Sequence, residues 1–268
     1  MAVERRMPNR LLILTLIASQ AGVAAAVDLR FTGIARDLQT RQLLYVESHH
    51  VHDAGKPGEQ RVVLYRCAPD GPAFARKELT YGASRAAPEF NFLDARDGYL
   101  EGLQRSAKGL RVVHKPNALG VQREAVVPAG GELVADAGFD EFVRARWNEL
   151  EKGQTVRFPF LVPSRLDVLS FKIRKHHETV IDGAPASVIR LALSGVIGWF
   201  LPHIDVSYRK SDRVLLRYEG LTNVRDAKGE NHIAVIDFPN AERRETKVDL
   251  AAARGEPLIA RCPAPRAS

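Results

Sequence analysis

Only two cysteines, Cys67 and Cys262, stand in 268 residues, and 7% of the chain is aromatic. Two thiols cannot make a Cys-based zinc site or a disulfide-dense scaffold. Glycine (20) and proline (15) are ordinary and no short period repeats, which excludes collagen-like, solenoid and low-complexity chains. No glycine-rich phosphate loop follows a strand, and no H-E-x-x-H helix occurs, so nucleotide enzymes and zincins lack their motifs. Gly82-Ala83-Ser84-Arg85-Ala86 is missing the last glycine of a nucleophile elbow. The carboxylates Glu47, Glu101, Asp136 and Asp140 are far apart in the chain and define no catalytic pair. What the chain does have is 45% apolar and 26% charged residues, enough to bury a core.

The N-terminus carries the strongest signal. Arg5, Arg6 and Arg10 precede an apolar run at 11–17, and Ala24-Ala25-Ala26 supplies a small-residue cleavage site. This pattern predicts a secretory signal peptide over 1–26, cleaved after Ala26, and a periplasmic mature protein. A retained anchor is the alternative, and Ser19 and Gln20 interrupt the apolar run it would need. Cleavage removes three Arg and one Glu, taking the net charge from +7 to +5. Export removes nucleic acid as a partner. The mild basic bias points instead to anionic headgroups and a membrane-surface contact, or to a merely soluble basic surface. An oxidising compartment permits a Cys67–Cys262 disulfide, closing a long loop and bringing the C-terminal tail beside the strand at 61–67. Two separate thiols are the alternative.

The mature chain alternates apolar and polar residues at 42–48, 61–67, 89–94, 99–103, 110–114, 155–162, 169–174, 188–193, 204–208, 214–218 and 232–238. Such period-2 runs, separated by turn residues, predict antiparallel sheets. Ile181-Asp182-Gly183-Ala184 and Asp226-Ala227-Lys228-Gly229 read as hairpin turns. One segment is different: Phe139, Phe142, Val143, Trp147 and Leu150 share a helical face. The expected fold is therefore a β-rich α+β one, a curved antiparallel sheet with one covering amphipathic helix over about 139–152. Its polar residues Asp140, Glu141, Arg144, Asn148 and Glu151 should face water. A single domain over 27–250 and a tail over 251–268 follow.

His49, His50, His52 and Asp53 form the densest cluster of metal-ligating side chains. On a strand His50 and His52 point the same way, as an H-x-H metal pair requires, although a polar strand end explains the same residues. His176 and His177 are strand neighbours and should face apart. The uncharged stretch 191–201 is too short to span a bilayer, and it concentrates Trp199 and Phe200 after Gly195 and Gly198.

Leu44-Tyr45-Val46-Glu47-Ser48-His49, Asp136-Ala137-Gly138-Phe139-Asp140 and Arg217-Tyr218-Glu219-Gly220-Leu221-Thr222-Asn223 resemble segments of exported proteobacterial proteins of unknown function. The architecture is similar to the periplasmic lipoprotein-carrier proteins, which hold acyl chains inside a curved sheet. That similarity implies a non-enzymatic periplasmic binding protein for a lipid or other amphipathic ligand, with no cofactor. The expected ligand-binding residues are Trp147, Phe158, Phe160, Trp199 and Phe200. The alternative is a cell-envelope enzyme, metal-assisted through His50 and His52.

Overall fold

The computed structural model describes residues 27–82, 84–195 and 203–263. The expected leader at 1–26 and the stretch 196–202, with Trp199 and Phe200, lie outside the described residues. A first up-and-down meander contains β1 (Leu29–Asp37), β2 (Leu43–His52), β3 (Gln60–Arg66), β4 (Ala73–Thr80), β5 (Glu89–Asp94), β6 (Tyr99–Ser106), β7 (Gly109–Lys115) and β8 (Arg123–Val127). A second contains β9 (Val156–Val162), β10 (Asp167–Ile181), β11 (Ala184–Leu193), β12 (Ile204–Arg209), β13 (Leu215–Arg225) and β14 (Asn231–Asp237). Pairing of β1 with β14 merges them into one antiparallel sheet, ordered β8 to β1 and then β14 to β9. A two-residue strand, β15 (Arg244–Glu245), also pairs with β1.

The turns follow from local chemistry. Between β10 and β11, Asp182 and Gly183 both have positive φ, 50° and 75°, as a two-residue type I′ hairpin demands. Ile181 and Ala184 close that turn as a registered pair. Asp226 caps the β13–β14 turn, its carboxylate accepting from the backbone N–H groups of Lys228 and Glu230.

The sheet curves without closing, because its end strands β8 and β9 do not pair. Val134, beyond β8, instead makes an isolated parallel bridge to Phe160 of β9. The 3-10 turn Pro163–Arg165 after β9 packs against β6 and β7. Between the end strands the chain forms α1 (Gly138–Ala145) and α2 (Trp147–Glu151). The expected single helix is thus broken at Arg146, whose backbone (φ −96°, ψ 10°) leaves the helical region. The apolar face survives the break. Phe139, Phe142, Val143, Trp147 and Leu150 are all buried against Phe158, Ile173, Ile189 and Leu191.

The opposite face does not simply meet water. Glu141 binds Arg85 and Arg144, Asp140 accepts from the Tyr208 hydroxyl, and Glu151 accepts from Ser187. The partners come from the sheet under the helices, Tyr208 on β12 and Ser187 on β11, and from Arg85 in the β4–β5 loop. A larger core, including Tyr45, Tyr65, Phe74, Phe92 and Leu103, fills the concave face of the first meander. The region expected as a tail carries α3 (Leu250–Gly255), whose Ala253 packs on Val62, Leu64 and Ala73. No helix among the described residues is long and apolar enough to cross a membrane.

Candidate functional site

Trp147 and Phe158 are buried in the core between the helices and β9–β12. The Phe158 ring lies 4.4 Å from Phe142, and the Trp147 ring meets Tyr208 edge-on at 6.2 Å. Phe160, two residues along β9, is only half-buried, because β9 is the last strand and, among the described residues, only the Val134 bridge pairs beyond it. Its ring lies 5.4 Å from that of Phe171 on β10, also half-buried, and 6.5 Å from Phe139. Leu193 of β11 stands opposite Phe171 and is half-buried too. The result is a partly open apolar row at the unsealed end of the sheet.

The histidines diverge in their surroundings. His52 Nδ1 lies 2.8 Å from Asp28 Oδ1, and its Nε2 lies 3.5 Å from Asp53 Oδ2. Asp28, His52 and Asp53 offer ligand atoms within 4.8 Å of one another, and His50 is outside the group. Asp28 is already engaged by the backbone N–H groups of Val248 and Asp53, the first of which does most to hold its carboxyl below the usual range. The trio therefore staples the start of β1 to the segment leading into α3. His50 is buried, and its Nε2 has no hydrogen-bond partner among the described residues. Burial, aided by Arg30 and Arg66, lowers its pKa to about 4. Farther along, a register shift between Lys175 and His177 lets the rings of His176 and His177 approach to 4.9 Å, where regular alternation would part them.

Cys67 and Cys262 form a disulfide, with Cα atoms 5.6 Å apart across 195 residues of sequence.

A polar centre inside the curved sheet escaped the sequence reading. Lys77 on β4 is 8% exposed and donates to Asp136 Oδ2 at 2.6 Å. Burial alone would discharge this ammonium, but Asp136 outweighs it, and Glu101 and Glu47 add to the same field, so the Lys77 pKa is raised. Glu101 accepts from the Tyr99 hydroxyl (2.7 Å) and from Asn223 Nδ2 (3.1 Å). Burial nevertheless raises its pKa, with Lys77 opposing. Glu47 sits 2.8 Å from His49 Nε2, and the His49 ring stacks on Phe31 at 4.2 Å. Gly33 makes room for this arrangement, since a Cβ there would stand 2.7 Å from the Phe238 ring and 3.1 Å from Glu47 Oε2. Carboxylates that are remote in sequence thus converge around one ammonium.

A second network pins α1. Glu59, fully buried, is bound by Arg61 and by Arg85 Nη2 (2.7 Å), and Arg85 Nε reaches Glu141 at 3.1 Å. Both guanidinium groups lie over the Tyr81 ring, at 4.6 and 4.7 Å. These networks hold charge in place and fix the helices on the sheet. The only sequence trace of the first is an inward-facing Glu or Lys in strands that otherwise alternate cleanly.

No family model and no curated protein matches the chain. Among solved structures it is similar to a β-barrel-like protein of the domain of unknown function DUF1849 from Brucella abortus. There the TM-score is 0.48 at 7% identity, covering 81% of this chain and 99% of that one. It is also similar to a DUF1329 family protein from Desulfovibrio piger, with TM-score 0.31, 11% identity, 83% of this chain and 87% of that one. A third is a domain described as an outer membrane lipoprotein-sorting protein from Vibrio parahaemolyticus, with TM-score 0.32, 8% identity, 86% of this chain and 90% of that one.

Proposed function

We propose that the mature chain is a periplasmic, non-enzymatic binding protein for an amphipathic, lipid-like ligand, held by its apolar part at the unsealed end of the sheet. The observation that carries this reading is the half-buried row of Phe160 and Phe171, 5.4 Å apart, beside Leu193 on the last three strands. Covering such a row removes apolar surface from water at about 25 cal/mol per Å², and aromatic rings give an acyl chain broad dispersion contact. Leu193 itself belongs to the uncharged stretch 191–201 that carries Trp199 and Phe200. Trp147 and Phe158 back the row from within the helix core.

Native mass spectrometry of protein purified from the periplasm tests the reading, together with titration of a fluorescent fatty acid. A retained lipid or saturable probe binding is expected. Protein that carries no lipid and leaves the probe's emission unchanged would overturn it.

A further inference from the structure

The opposite face of the same three strands carries a different feature. A groove of about 520 Å³ runs over β9, β10 and β11, and its lining includes Thr155, Arg157, Lys172, Arg174, His176 and Arg190. Its cations are not scattered. Arg157 is registered directly opposite Lys172, and Arg174 directly opposite Arg190. Like charges facing each other across a ladder oppose sheet formation. Of these four, Arg190 is neutralised by a two-point contact with Asp205 at 2.7 and 2.6 Å, and Lys175, which also lines the groove, is paired with Glu151 and Glu178. Arg157, Lys172 and Arg174 have no carboxylate partner among the described residues.

Edge protection accounts for part of this pattern. β9 is an end strand, and Arg157 and Pro159 on it blunt pairing with other chains. That explanation does not reach Lys172, which is paired on both sides, with Arg157 and with Ala192, while Arg174, one residue past the last β9 pair, is paired only with Arg190. Strand spacing and rise put the four cationic positions on a grid of about 5 Å by about 7 Å. The grid matches closely spaced oxyanion groups, and the Thr155 hydroxyl borders it.

We propose that this groove is a binding site for a phosphate-bearing anion, either a lipid headgroup or a soluble phosphate compound. It uses none of the side chains of the aromatic row and stands independently of the reading above.

The test compares the mature protein with a groove variant, Arg157→Gln/Lys172→Gln/Arg174→Gln. The control, Arg105→Gln/Lys108→Gln/Lys228→Gln, removes equal charge at exposed positions elsewhere. One arm is cosedimentation with phosphatidylcholine vesicles containing phosphatidylglycerol, set against phosphatidylcholine alone. The other is calorimetric titration with inorganic pyrophosphate. Wild-type protein and the control variant should bind alike, and the groove variant about a hundredfold more weakly. Binding to the anionic vesicles alone assigns the site to a headgroup, and binding to pyrophosphate assigns it to a soluble phosphate. No binding in either arm, or equal loss in the two variants, overturns the proposal. Circular dichroism of both variants confirms that each is folded.

Discussion

Arg66 and Glu256, 190 residues apart, meet in a two-point contact, Nη1 to Oε1 at 2.5 Å and Nη2 to Oε2 at 2.8 Å. The next residue, just past the end of β3, is Cys67, bonded to Cys262. Between the two ties, the Ile259 N–H donates to Ala73 O at 2.9 Å, while Arg254 reaches Glu78 and Gln60. The C-terminal segment is therefore a strap over the convex face of β3 and β4. Planar, two-point Arg–carboxylate pairs are the stronger kind of surface ion pair, and the strap adds a covalent tie and an apolar contact through Ala253.

Removing the disulfide should loosen this strap without dissolving the sheet. The Cys67→Ala/Cys262→Ala variant should lose about 2–5 kcal/mol, chiefly because its unfolded chain regains the freedom of a long loop. Hydrogen exchange at α3 should rise, while β5 to β7 stay protected under native conditions. Thermal unfolding and exchange mass spectrometry check both. An unchanged melting temperature would show that the noncovalent ties suffice.

His50 should make stability depend on acid pH. Its folded-state pKa of about 4 lies below the ordinary 6.5. Between those values the unfolded chain takes up a proton that the folded protein refuses, so the His50 contribution is full above 6.5 and is lost as pH falls toward 4. The shift corresponds to about 3 kcal/mol. Glu101, its pKa raised mainly by burial, acts in the opposite sense, weakening the fold as pH rises above its ordinary value. The two are separated by comparing wild type with His50→Gln. The variant should show a flatter decline in melting temperature between pH 6.5 and 4, and parallel profiles would reject this role.

Much of the sheet was legible in the sequence and its polar centre was not, for reasons visible in particular strands. Alternation exposed β2, β3, β5 to β7 and β9 to β14, because large apolar residues fall on one face. Three strands gave no such trace. In β1 the inward residues include Gly33 and Ala35, which carry little apolar signal. In β4 the inward series Ala75, Lys77, Leu79 is broken by a charge. In β8 most residues are exposed at the sheet's end. Lys77 becomes intelligible only when curvature delivers Asp136 to it, a contact spanning 59 residues. The separation of His50 from His52 is likewise tertiary. His50 and His52 are two apart on β2, but Asp28 and Asp53 engage the His52 ring while His50 lies near Arg66 and Glu256 of the strap.

Lys77 should be costly to remove. Lys77→Met leaves Asp136 without its cation, with Glu101 and Glu47 acting on the same region. Breaking one half of such a buried pair typically costs about 3–5 kcal/mol at neutral pH. Adding Asp136→Asn should restore part of that loss, since Asn tolerates the positive φ of 45° at this position. Acid should also narrow the gap between Lys77→Met and wild type, as Glu101, whose pKa burial already raises, becomes protonated. Urea unfolding of the three proteins at neutral and acid pH measures this, and a single-variant cost below about 1 kcal/mol would place the pair in effective contact with water.

The aromatic row and the helix core should separate under mutation. Trp147 is 6% exposed and fills space among Val143, Leu150 and Tyr208, so Trp147→Ala should cost about 3–5 kcal/mol. Phe160 and Phe171 already meet solvent along one side, and truncating either removes less buried area, so each should cost about 1–2 kcal/mol. Ligand binding should rank in the reverse order. Phe160→Ala/Phe171→Ala should weaken uptake of a fluorescent fatty acid at least tenfold, the loss of about 1.4 kcal/mol of contact. At a temperature where Trp147→Ala is still folded, its uptake should stay near wild type, because the indole packs within the helix core, edge-on to Tyr208. Unfolding and probe titration on the same preparations distinguish the cases. If the phenylalanine pair melts the protein as severely as Trp147→Ala while the folded fraction binds normally, the row is part of the core and the ligand must be sought elsewhere on the sheet.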